Sequence, residues 1–375
     1  MEHMKRVLVY RETLLPISET FIKAQTESMT RYRACYAGLL RASPSLPLDG
    51  EQALLVRKPS VLTTLRLKLY RKFGFAPAYK RLIASWGVGL VHAHFGPDGV
   101  NAMRLARFLK VPLIVTLHGY DVTTEQPFEA LYGELWKEAD LFLCVSDFMR
   151  RTAIERGFPD EKLKVHFIGV DTEEFRVRNR SRSKDSRKVL FVGRLSEKKG
   201  CRYLLDAMHM VQAAIPEADL TIIGDGPLRV SLEAQAQDLG VRCSFLGAQD
   251  SSTIRRHMEE SALFCAPSVR GANGDSEGFG IVFLEAQAAG VPVVSFRHGG
   301  IPEAVEDGVT ALLAPEGDSA ALAHNILFYL QDPALARAAG LAGERRANQE
   351  FELKRQTAAL EVIYDDLLRE RAGRR

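Results

Sequence analysis

Short runs of consecutive apolar residues alternate along the chain with longer segments in which apolar positions follow helical spacing. The first half carries such runs at residues 6–10, 89–95, 113–117 and 141–145, and the second half at 188–193, 220–223, 243–247 and 263–267. Runs with little polar alternation are typical of parallel strands that helices cover on both faces. The pattern therefore predicts an α/β protein with repeated strand–helix steps in each half.

Residues 268–303 combine a predicted loop, helix, strand and glycine turn in one stretch. Residues 275–280 are polar and rich in glycine, so the backbone there can approach a ligand closely. The apolar spacing that follows predicts a helix that starts at Ile281 and ends near Gly290. Residues 293–294 then indicate a short buried strand, which is stopped by two glycines.

Two carboxylates frame the start of that helix, because Glu277 precedes it and Glu285 lies in its second turn. The backbone N–H groups around Phe279 and Gly280 would form the helix N-terminus, which is a favourable position for an anion. Carboxylates accept hydrogen bonds from hydroxyls, so this arrangement suits a sugar nucleotide. The alternative interpretation is a pair of solvated surface glutamates.

Three further helices are predicted near the C-terminus, at about residues 320–330, 334–348 and 353–368. The last of them places a stripe of residues on one face: Leu353, Thr357, Leu360, Tyr364 and Leu367. Between the two halves, residues 176–187 are polar and basic, which predicts an inter-domain linker.

Composition narrows the class of protein. The 375 residues are enough for two domains, and the net charge of +3 does not call for nucleic acid. No apolar run approaches the roughly 18 residues that a membrane span needs, and the N-terminus lacks a secretory signal pattern. The five cysteines contain no C-x-x-C pair and suggest no metal-ligand cluster. We expect a reduced, cytoplasmic protein.

Residues 57–81 have the most unusual composition, with eight basic residues, interleaved leucines and aromatics, and no acid. A segment of this kind suits an anionic membrane surface or a phosphate-bearing lipid. A solvated helix that flanks a core contact is the equal alternative. Nucleic acid is a third option, but no DNA- or RNA-binding motif supports it.

Two predicted strands deliver polar side chains to the edge of a sheet where ligands of open α/β proteins bind. The strand at 113–117 is followed directly by His118, and the strand at 188–193 by Arg194 and Lys199. A guanidinium fork and a flexible ammonium near a strand-to-helix turn suit a pyrophosphate. The turn after the strand at 220–223 is G-D-G-P, which is not the dinucleotide fingerprint, so NAD binding is not supported.

Taken together, these motifs resemble the retaining GT-B glycosyltransferases of family 4, also called group 1. Glu277 and Glu285 have the family's E-x7-E spacing, and residues 193–200 fit its G-R-x4-K-G element. Residues 116–121 (TLHGYD), 224–227 and 298–303 (HGGIPE) also match. Residues 18–22, SETFI, stand where most members have a glycine-rich loop, and they resemble a subgroup that builds bacterial exopolysaccharides of the colanic-acid type.

The resemblance implies an α/β fold of two Rossmann-like domains that face each other across a cleft, with the C-terminal helix crossing back to the first. The acceptor domain would be residues 1–175 with the returning helix 350–375, and the donor domain residues 176–349. It implies a catalytic set of His118, Glu277, Arg194 and Lys199. It implies donor-binding roles for Glu285, Phe279, Gly280, Gly224, Gly226, Leu246 and Asp121, and acceptor-side roles for His94, Ser18 and Glu19.

The implied reaction moves a hexosyl group from a nucleoside diphosphate sugar to an acceptor hydroxyl, with retention of configuration. Because protein cations and N–H groups would stabilise the leaving diphosphate, we expect no metal ion or other cofactor. The expected acceptor is a glycan or lipid-linked oligosaccharide at the inner face of the cell membrane. A sugar-nucleotide epimerase of the same architecture and a non-catalytic sugar-nucleotide-binding module are the alternatives.

Overall fold

The computed structural model describes residues 4–16, 18–56, 63–177 and 187–373, and the chain divides into two compact units. The first comprises Met1–Val122, Gln126–Gly169 and Leu353–Arg375, and the second comprises Thr123–Glu125 and Val170–Glu352. The predicted boundary after residue 175 lies six residues too late. Val170 donates its N–H to the Phe351 carbonyl at 2.8 Å, and the helix at Thr172–Phe175 packs within the second unit.

The first unit is built on a seven-stranded parallel sheet in the order β5-β3-β1-β6-β7-β8-β9. The strands, with a separate short pair β2–β4, are β1 Lys5–Tyr10, β2 Thr13–Leu14, β3 Tyr32–Gly38, β4 Leu40–Arg41, β5 Gln52–Leu54, β6 Leu90–His94, β7 Leu113–Leu117, β8 Leu141–Cys144 and β9 Leu163–Val165. The predicted strands at β1, β6, β7 and β8 are confirmed. Strands β3, β5 and β9 were not predicted from the sequence.

The helices up to the unit boundary are α1 Thr20–Glu27, α2 Thr63–Phe73, α3 Pro77–Ala84, α4 Gly96–Leu109, α5 Tyr120–Thr123, α6 Phe128–Glu138 and α7 Asp147–Glu155. Glu19 precedes α1, and its side chain does not cap the helix. Helix α4 begins at Gly96, and Pro97 and Asp98 suit its first turn.

The second unit has a six-stranded parallel sheet in the order β12-β11-β10-β13-β14-β15. Its strands are β10 Lys188–Val192, β11 Asp219–Ile223, β12 Cys243–Phe245, β13 Leu263–Cys265, β14 Val293–Phe296 and β15 Ala311–Ala314. Its helices are α8 Thr172–Phe175, α9 Cys201–Ala214, α10 Arg229–Asp238, α11 Ser251–Glu260, α12 Ile281–Ala288, α13 Ile301–Ala304, α14 Ser319–Gln331 and α15 Pro333–Glu350. Strand β15 was not predicted. Residues 178–186 of the predicted linker lie outside the described residues.

The last helix, α16 (Leu353–Gly373), belongs to the first unit, as the resemblance implied. Its predicted stripe faces the core: Leu353, Thr357, Leu360 and Tyr364 are buried, and Leu367 is partly buried. The buried carboxylate of Glu361 accepts backbone N–H groups from Thr30, Arg31 and Tyr32 at 2.9, 2.7 and 3.1 Å. The helix is therefore fixed to the start of β3, and it continues five residues beyond the predicted end at 368.

Candidate active site

The carboxyl edge of the second sheet brings together most of the residues that the sequence singled out there. The side chain of Lys199, from the loop after β10, forms an ion pair with Glu277, from the loop before α12. Lys198 pairs with Asp275 at 3.0 Å, and the Ser268 hydroxyl donates to Glu277 at 3.4 Å. The two loops are therefore joined by charge, although 78 residues separate Lys199 from Glu277.

Glu277 is 8% exposed. Burial alone would raise the pKa of its carboxyl, but the positive charges of Lys199 and Lys198 outweigh that effect, and the pKa lies below its usual range. Glu277 is therefore ionised at neutral pH. A carboxylate in this state accepts hydrogen bonds from hydroxyl groups and does not act as a proton donor.

Arg194 occupies a different environment from the two lysines. It lies just after β10 at the same sheet edge, and its side chain is exposed. In the described part of the chain its guanidinium has no hydrogen-bond or ion-pair partner. It can therefore bind an incoming anion without first breaking an internal ion pair.

Glu285 lies in the second turn of α12, as predicted. Burial and, secondarily, the charge of Glu174 raise the pKa of its carboxyl to about 7. Among the described residues the carboxyl has no hydrogen-bond partner. Hydroxyl groups of a ligand would satisfy this carboxyl and favour its ionised form.

The start of α12 agrees with the sequence, since Gly280 precedes the helix with a φ of +85°. Phe279 turns its side chain inward, where it is 1% exposed and packs on Phe351 with ring centroids 5.5 Å apart. The helix N-terminus is thus anchored by an aromatic contact, and any contribution of Phe279 to ligand binding is through its backbone.

Gly224 and Gly226 let the turn after β11 pack against the turn that carries Arg194. A Cβ on Gly224 would lie 1.9 Å from the Gly193 carbonyl oxygen, and one on Gly226 would lie 2.4 Å from that of Leu195. These glycines are thus required for close backbone packing. Leu246, at the end of β12, remains 36% exposed and can contact a flat ligand group.

His298 and Glu316 are linked to the loop that carries Glu277, and no sequence motif indicated this partnership. The N–H of Glu277 donates to His298 Nε2 at 3.4 Å, so Nδ1 carries the ring proton and donates to Glu316 Oε2 at 2.8 Å. Glu316 also accepts the N–H of Arg270 at 2.7 Å. One carboxylate after β15 thus holds the loops after β13 and β14.

In the first unit, His92, His94 and His118 stack in a row at the carboxyl ends of β6 and β7. The ring centroids of His92 and His94 are 4.4 Å apart, and those of His94 and His118 are 5.3 Å apart. His94 Nδ1 and His118 Nε2 lie 3.0 Å apart and share a hydrogen bond. Burial, together with nearby positive charge, lowers the pKa of both His94 and His118, so these rings are neutral at physiological pH.

Two predicted contacts in this unit require correction. His94 is 2% exposed, so it lies beneath His118 and is not available to an acceptor. Asp121 is fully buried, and its carboxylate accepts the N–H groups of Gly96, His118 and Gly119 at 3.0, 3.1 and 2.7 Å. Asp121 therefore fixes the backbone of the His118 loop and does not itself reach a donor.

Arg11 is a site residue that the sequence reasoning missed, although it directly follows β1. Its guanidinium forms ion pairs with Glu19 and Asp98, and it lies 4.3 Å from the centroid of the Phe95 ring. Glu19 is buried and engaged in this cluster, whereas Ser18 is exposed. Of the two predicted acceptor-side residues of the SETFI segment, only Ser18 presents its side chain to solvent.

No group of three or more His, Cys, Asp or Glu side chains in the described ranges is arranged to hold a metal ion. In the same ranges, no helix has the length and apolar character required to cross a membrane.

Comparison with known proteins agrees with this geometry. The model described as "Glycosyl transferases group 1" matches residues 171–346, and the model described as "Glycosyltransferase Family 4" matches residues 36–174. The structure of Anabaena HepE in complex with UDP-glucose superposes with a TM-score of 0.79 at 22% identity, and the match covers 97% of this chain and 100% of HepE. The fold is therefore the GT-B fold of glycosyltransferases.

Two curated glycosyltransferases are similar to this chain in sequence. The amylovoran biosynthesis glycosyltransferase AmsK of Erwinia amylovora is 32% identical over 69% of this chain and 65% of its own length. The putative colanic acid biosynthesis glycosyltransferase WcaL of Salmonella typhimurium is 34% identical over 62% of this chain and 59% of its own length. The chain thus spans slightly less than two thirds of either relative. The chain belongs to the family 4, or group 1, glycosyltransferases.

Proposed function

We propose that this protein is a retaining glycosyltransferase that moves a sugar from a nucleoside diphosphate sugar to an acceptor hydroxyl in bacterial exopolysaccharide synthesis. One observation carries the proposal. An exposed Arg194 without an internal partner and the Lys199–Glu277 ion pair lie on the loops that follow the neighbouring strands β10 and β13, and the raised-pKa carboxyl of Glu285 lies in helix α12 directly after the second loop. Cations for a diphosphate and carboxylates for hydroxyls are what a sugar nucleotide requires.

In this proposal Arg194 binds the diphosphate directly, and Lys199 supplies positive charge while it holds Glu277 in place. Glu277 accepts hydrogen bonds from donor-sugar hydroxyls, and Glu285 accepts them from the ribose. The backbone at Phe279 and Gly280 adds the positive end of α12. Groups of this kind stabilise negative charge as it develops on the leaving diphosphate, which is the largest contribution that an enzyme makes to such a step.

Retention follows if the acceptor oxygen attacks the anomeric carbon from the face that the diphosphate leaves. The new C–O bond forms as the bond between that carbon and the phosphate oxygen breaks, and the acceptor proton passes to the leaving phosphate. Glu277 is unsuited to the role of nucleophile because its charge is already engaged by Lys199. His118 is neutral and lies beside the reacting sugar in this proposal. The protein cations take the place of a metal ion.

The proposed acceptor is a lipid-linked oligosaccharide at the cytoplasmic face of the membrane. The surface formed by α2, α3 and the end of α4, here called the basic–aromatic surface, supports this. Phe73 and Phe75 are 65% and 64% exposed, and Lys72 and Lys80 lie 5.3 and 5.2 Å from the centroids of the Phe73 and Phe108 rings. Cations beside exposed aromatic rings suit an anionic lipid surface. Residues 57–62 of the predicted segment lie outside the described residues.

The deciding experiment measures thermal stabilisation of the protein by UDP-, GDP-, ADP- and dTDP-sugars. A ligand that binds only the folded state raises Tm by mass action, so one nucleotide family should give a clear shift. Arg194→Ala should abolish that shift, whereas Arg256→Ala, a change at an exposed arginine of α11, should retain it. No shift with any of the four would contradict the proposal.

Reaction stereochemistry is then tested with the donor so identified. NMR of the product should show the anomeric configuration of the donor. Conversion of the nucleotide sugar to its epimer without any acceptor would instead identify an epimerase, and binding without turnover would identify a non-catalytic module.

A further inference from the structure

Two ion pairs join the loop after β10 to the loop before α12 in the second unit, and their acidic partners differ in burial. Lys199 pairs with Glu277, and Lys198 pairs with Asp275 at 3.0 Å. The Glu277 side chain is 10% exposed, whereas that of Asp275 is 22% exposed. A buried carboxylate that loses its cation is strongly destabilised, but an accessible one is hydrated instead. Lys198 can therefore exchange its partner more readily than Lys199 can.

The two loops are also joined by bonds that do not involve the Lys198 side chain. The backbone carbonyl of Lys198 accepts the N–H of Val269 at 2.8 Å. The carboxylate of Glu197 accepts the N–H of Ala272 at 3.1 Å. The loops therefore stay in contact when the Lys198–Asp275 pair opens, and only the two side chains need to move.

The ammonium group of Lys198 has unused hydrogen-bonding capacity. An ammonium group has three N–H donors, and among the described residues its one hydrogen bond or ion pair is the bond to Asp275 Oδ1. Burial raises the pKa of Glu277, but the charges of Lys199 and then of Lys198 lower it below its usual range. The Lys198 ammonium therefore lies close to the carboxylate that is proposed to bind the donor sugar.

The charges at this sheet edge leave room for a second free cation. In the proposed function the leaving diphosphate carries more than one negative charge, and the exposed Arg194 supplies one positive charge without an internal partner. The charge of Lys199 is balanced by Glu277, which burial keeps in its ion pair. Lys198 is the next cation along the same loop, and it becomes available once Asp275 releases it.

We propose that Lys198 is a further diphosphate-binding residue of the donor site, and that the donor displaces Asp275 from it. This inference rests on the proposed function. An ammonium group forms charge-assisted hydrogen bonds with phosphate as it does with carboxylate, and a diphosphate carries more charge than Asp275 does. The exchange therefore favours the donor. Asp275 competes with the donor for Lys198, so the two residues have opposite effects on donor affinity.

Isothermal titration of the full chain with UDP, GDP, ADP and dTDP tests this exchange. UMP, GMP, AMP and dTMP are the matched probes that lack the second phosphate. Lys198→Met should weaken binding of the preferred diphosphate about fivefold, because one charge-assisted contact is lost. The loss should be smaller for the corresponding monophosphate. Lys198→Arg, which keeps the charge, should bind within about twofold of the unaltered protein.

Substitution of the acidic partner should act in the opposite direction. Asp275→Asn should strengthen diphosphate binding about twofold, because the amide no longer holds the ammonium by charge. If the ion pair served only to brace the two loops, Asp275→Asn and Lys198→Met would both weaken binding. The sign of the Asp275→Asn effect therefore separates a binding role of Lys198 from a structural one.

Lys188→Met is the matched control. Lys188 begins β10 at the opposite edge of the same sheet, and its ion pair with Glu260, at 2.9 Å, has a lysine side chain that is 26% exposed. Its loss should leave diphosphate affinity unchanged. The inference is overturned if Lys198→Met binds the diphosphate as tightly as the unaltered protein, or if Asp275→Asn weakens binding. If the unaltered protein bound none of the four diphosphates, the proposed function would fail together with the inference.

Discussion

His298 and Glu316 are joined by a hydrogen bond of 2.8 Å between Nδ1 and Oε2, and through it a carboxylate after β15 positions Glu277. The opposite ring nitrogen of His298, Nε2, accepts the Glu277 N–H. His298 therefore links the loop that carries Glu277 to Glu316. Neither the His298 ring nor the Glu316 carboxylate has a proposed contact with the sugar nucleotide. Their effect on donor binding would be indirect, through the placement of Glu277.

Glu316→Ala should weaken nucleotide-sugar binding about tenfold, because it releases both His298 and the Arg270 backbone. Tenfold corresponds to about 1.4 kcal/mol, within the usual range for a lost hydrogen bond. Glu316→Gln should give an intermediate loss, since its single carbonyl oxygen can accept only one of the two donors well. Isothermal titration of the stabilising nucleotide sugar measures both. Glu233→Ala, a change at an exposed ion-paired carboxylate of the same unit, is the matched control.

Lys199→Met should lower the free energy of unfolding by about 3 kcal/mol, because it leaves the buried charge of Glu277 without its partner. The double variant Lys199→Met/Glu277→Gln should recover most of that loss while remaining inactive, since both groups would also be needed for the donor. Denaturant unfolding measures the stability of both variants, and a turnover assay tests whether the double variant is inactive. Equal stability of the single and double variants would contradict the idea that the unpaired charge of Glu277 causes the loss.

The raised pKa of Glu285 predicts that both the stability of the protein and its affinity for the nucleotide sugar depend on pH. The pKa of its carboxyl is raised in the folded state from 4.5 to about 7, so the folded protein holds a proton that the unfolded chain releases. Glu285 therefore lowers the free energy of unfolding progressively as pH rises from 4.5 to 7, and its effect is constant above pH 7. Glu285→Gln should remove this part of the slope and be more stable than the parent at pH 8.

Nucleotide-sugar affinity should show the opposite trend. If hydroxyls of the ligand bind the carboxylate form of Glu285, affinity rises as pH increases through about 7. Titrations at pH 6, 7 and 8 check the trend. Glu285→Gln should bind more weakly than the parent at pH 8 and show a flat profile over that range.

Gly299→Ala should destabilise the protein and impair donor binding together. Gly299 has a φ of +56°, and an added Cβ would lie 2.3 Å from the Glu277 carbonyl oxygen. Gly308→Ala separates the two causes, because Gly308 has a φ of +76° but no atom within 4 Å of its Cβ position. We expect about 1 kcal/mol from backbone strain alone at Gly308, with normal donor binding. Thermal unfolding without the nucleotide sugar measures the stability of each variant, and the Tm shift on its addition measures donor binding.

The basic–aromatic surface should bind anionic vesicles in a salt-sensitive manner. Cosedimentation with vesicles that contain one third phosphatidylglycerol should capture the protein at low ionic strength, and 0.5 M NaCl should reduce the bound fraction. Phe73→Ser/Phe75→Ser should reduce capture severalfold, whereas Phe328→Ser should not. Equal capture by neutral and anionic vesicles would contradict an electrostatic contribution.

The sequence by itself determined the class of fold and most of the donor-side residues. Strands such as Leu113–Leu117, and the helix that starts at Ile281, are encoded by local apolar periodicity, which can be read without tertiary information. The position of His118, Arg194 and Lys199 at strand ends follows from the same local reading. The strand Tyr32–Gly38 was not predicted, because its buried positions are alanines, a cysteine, tyrosines and a glycine and contain no Val, Ile or Leu.

Only the tertiary structure decided which of those residues are partners and which are accessible. The Lys199–Glu277 pair, the Glu316–His298 support and the Arg11–Glu19–Asp98 cluster join residues from different loops. Burial removed His94 and Asp121 from direct ligand contact. Charge pairing and exposure depend on distances set by the packing of whole elements, and local spacing along a chain does not contain those distances.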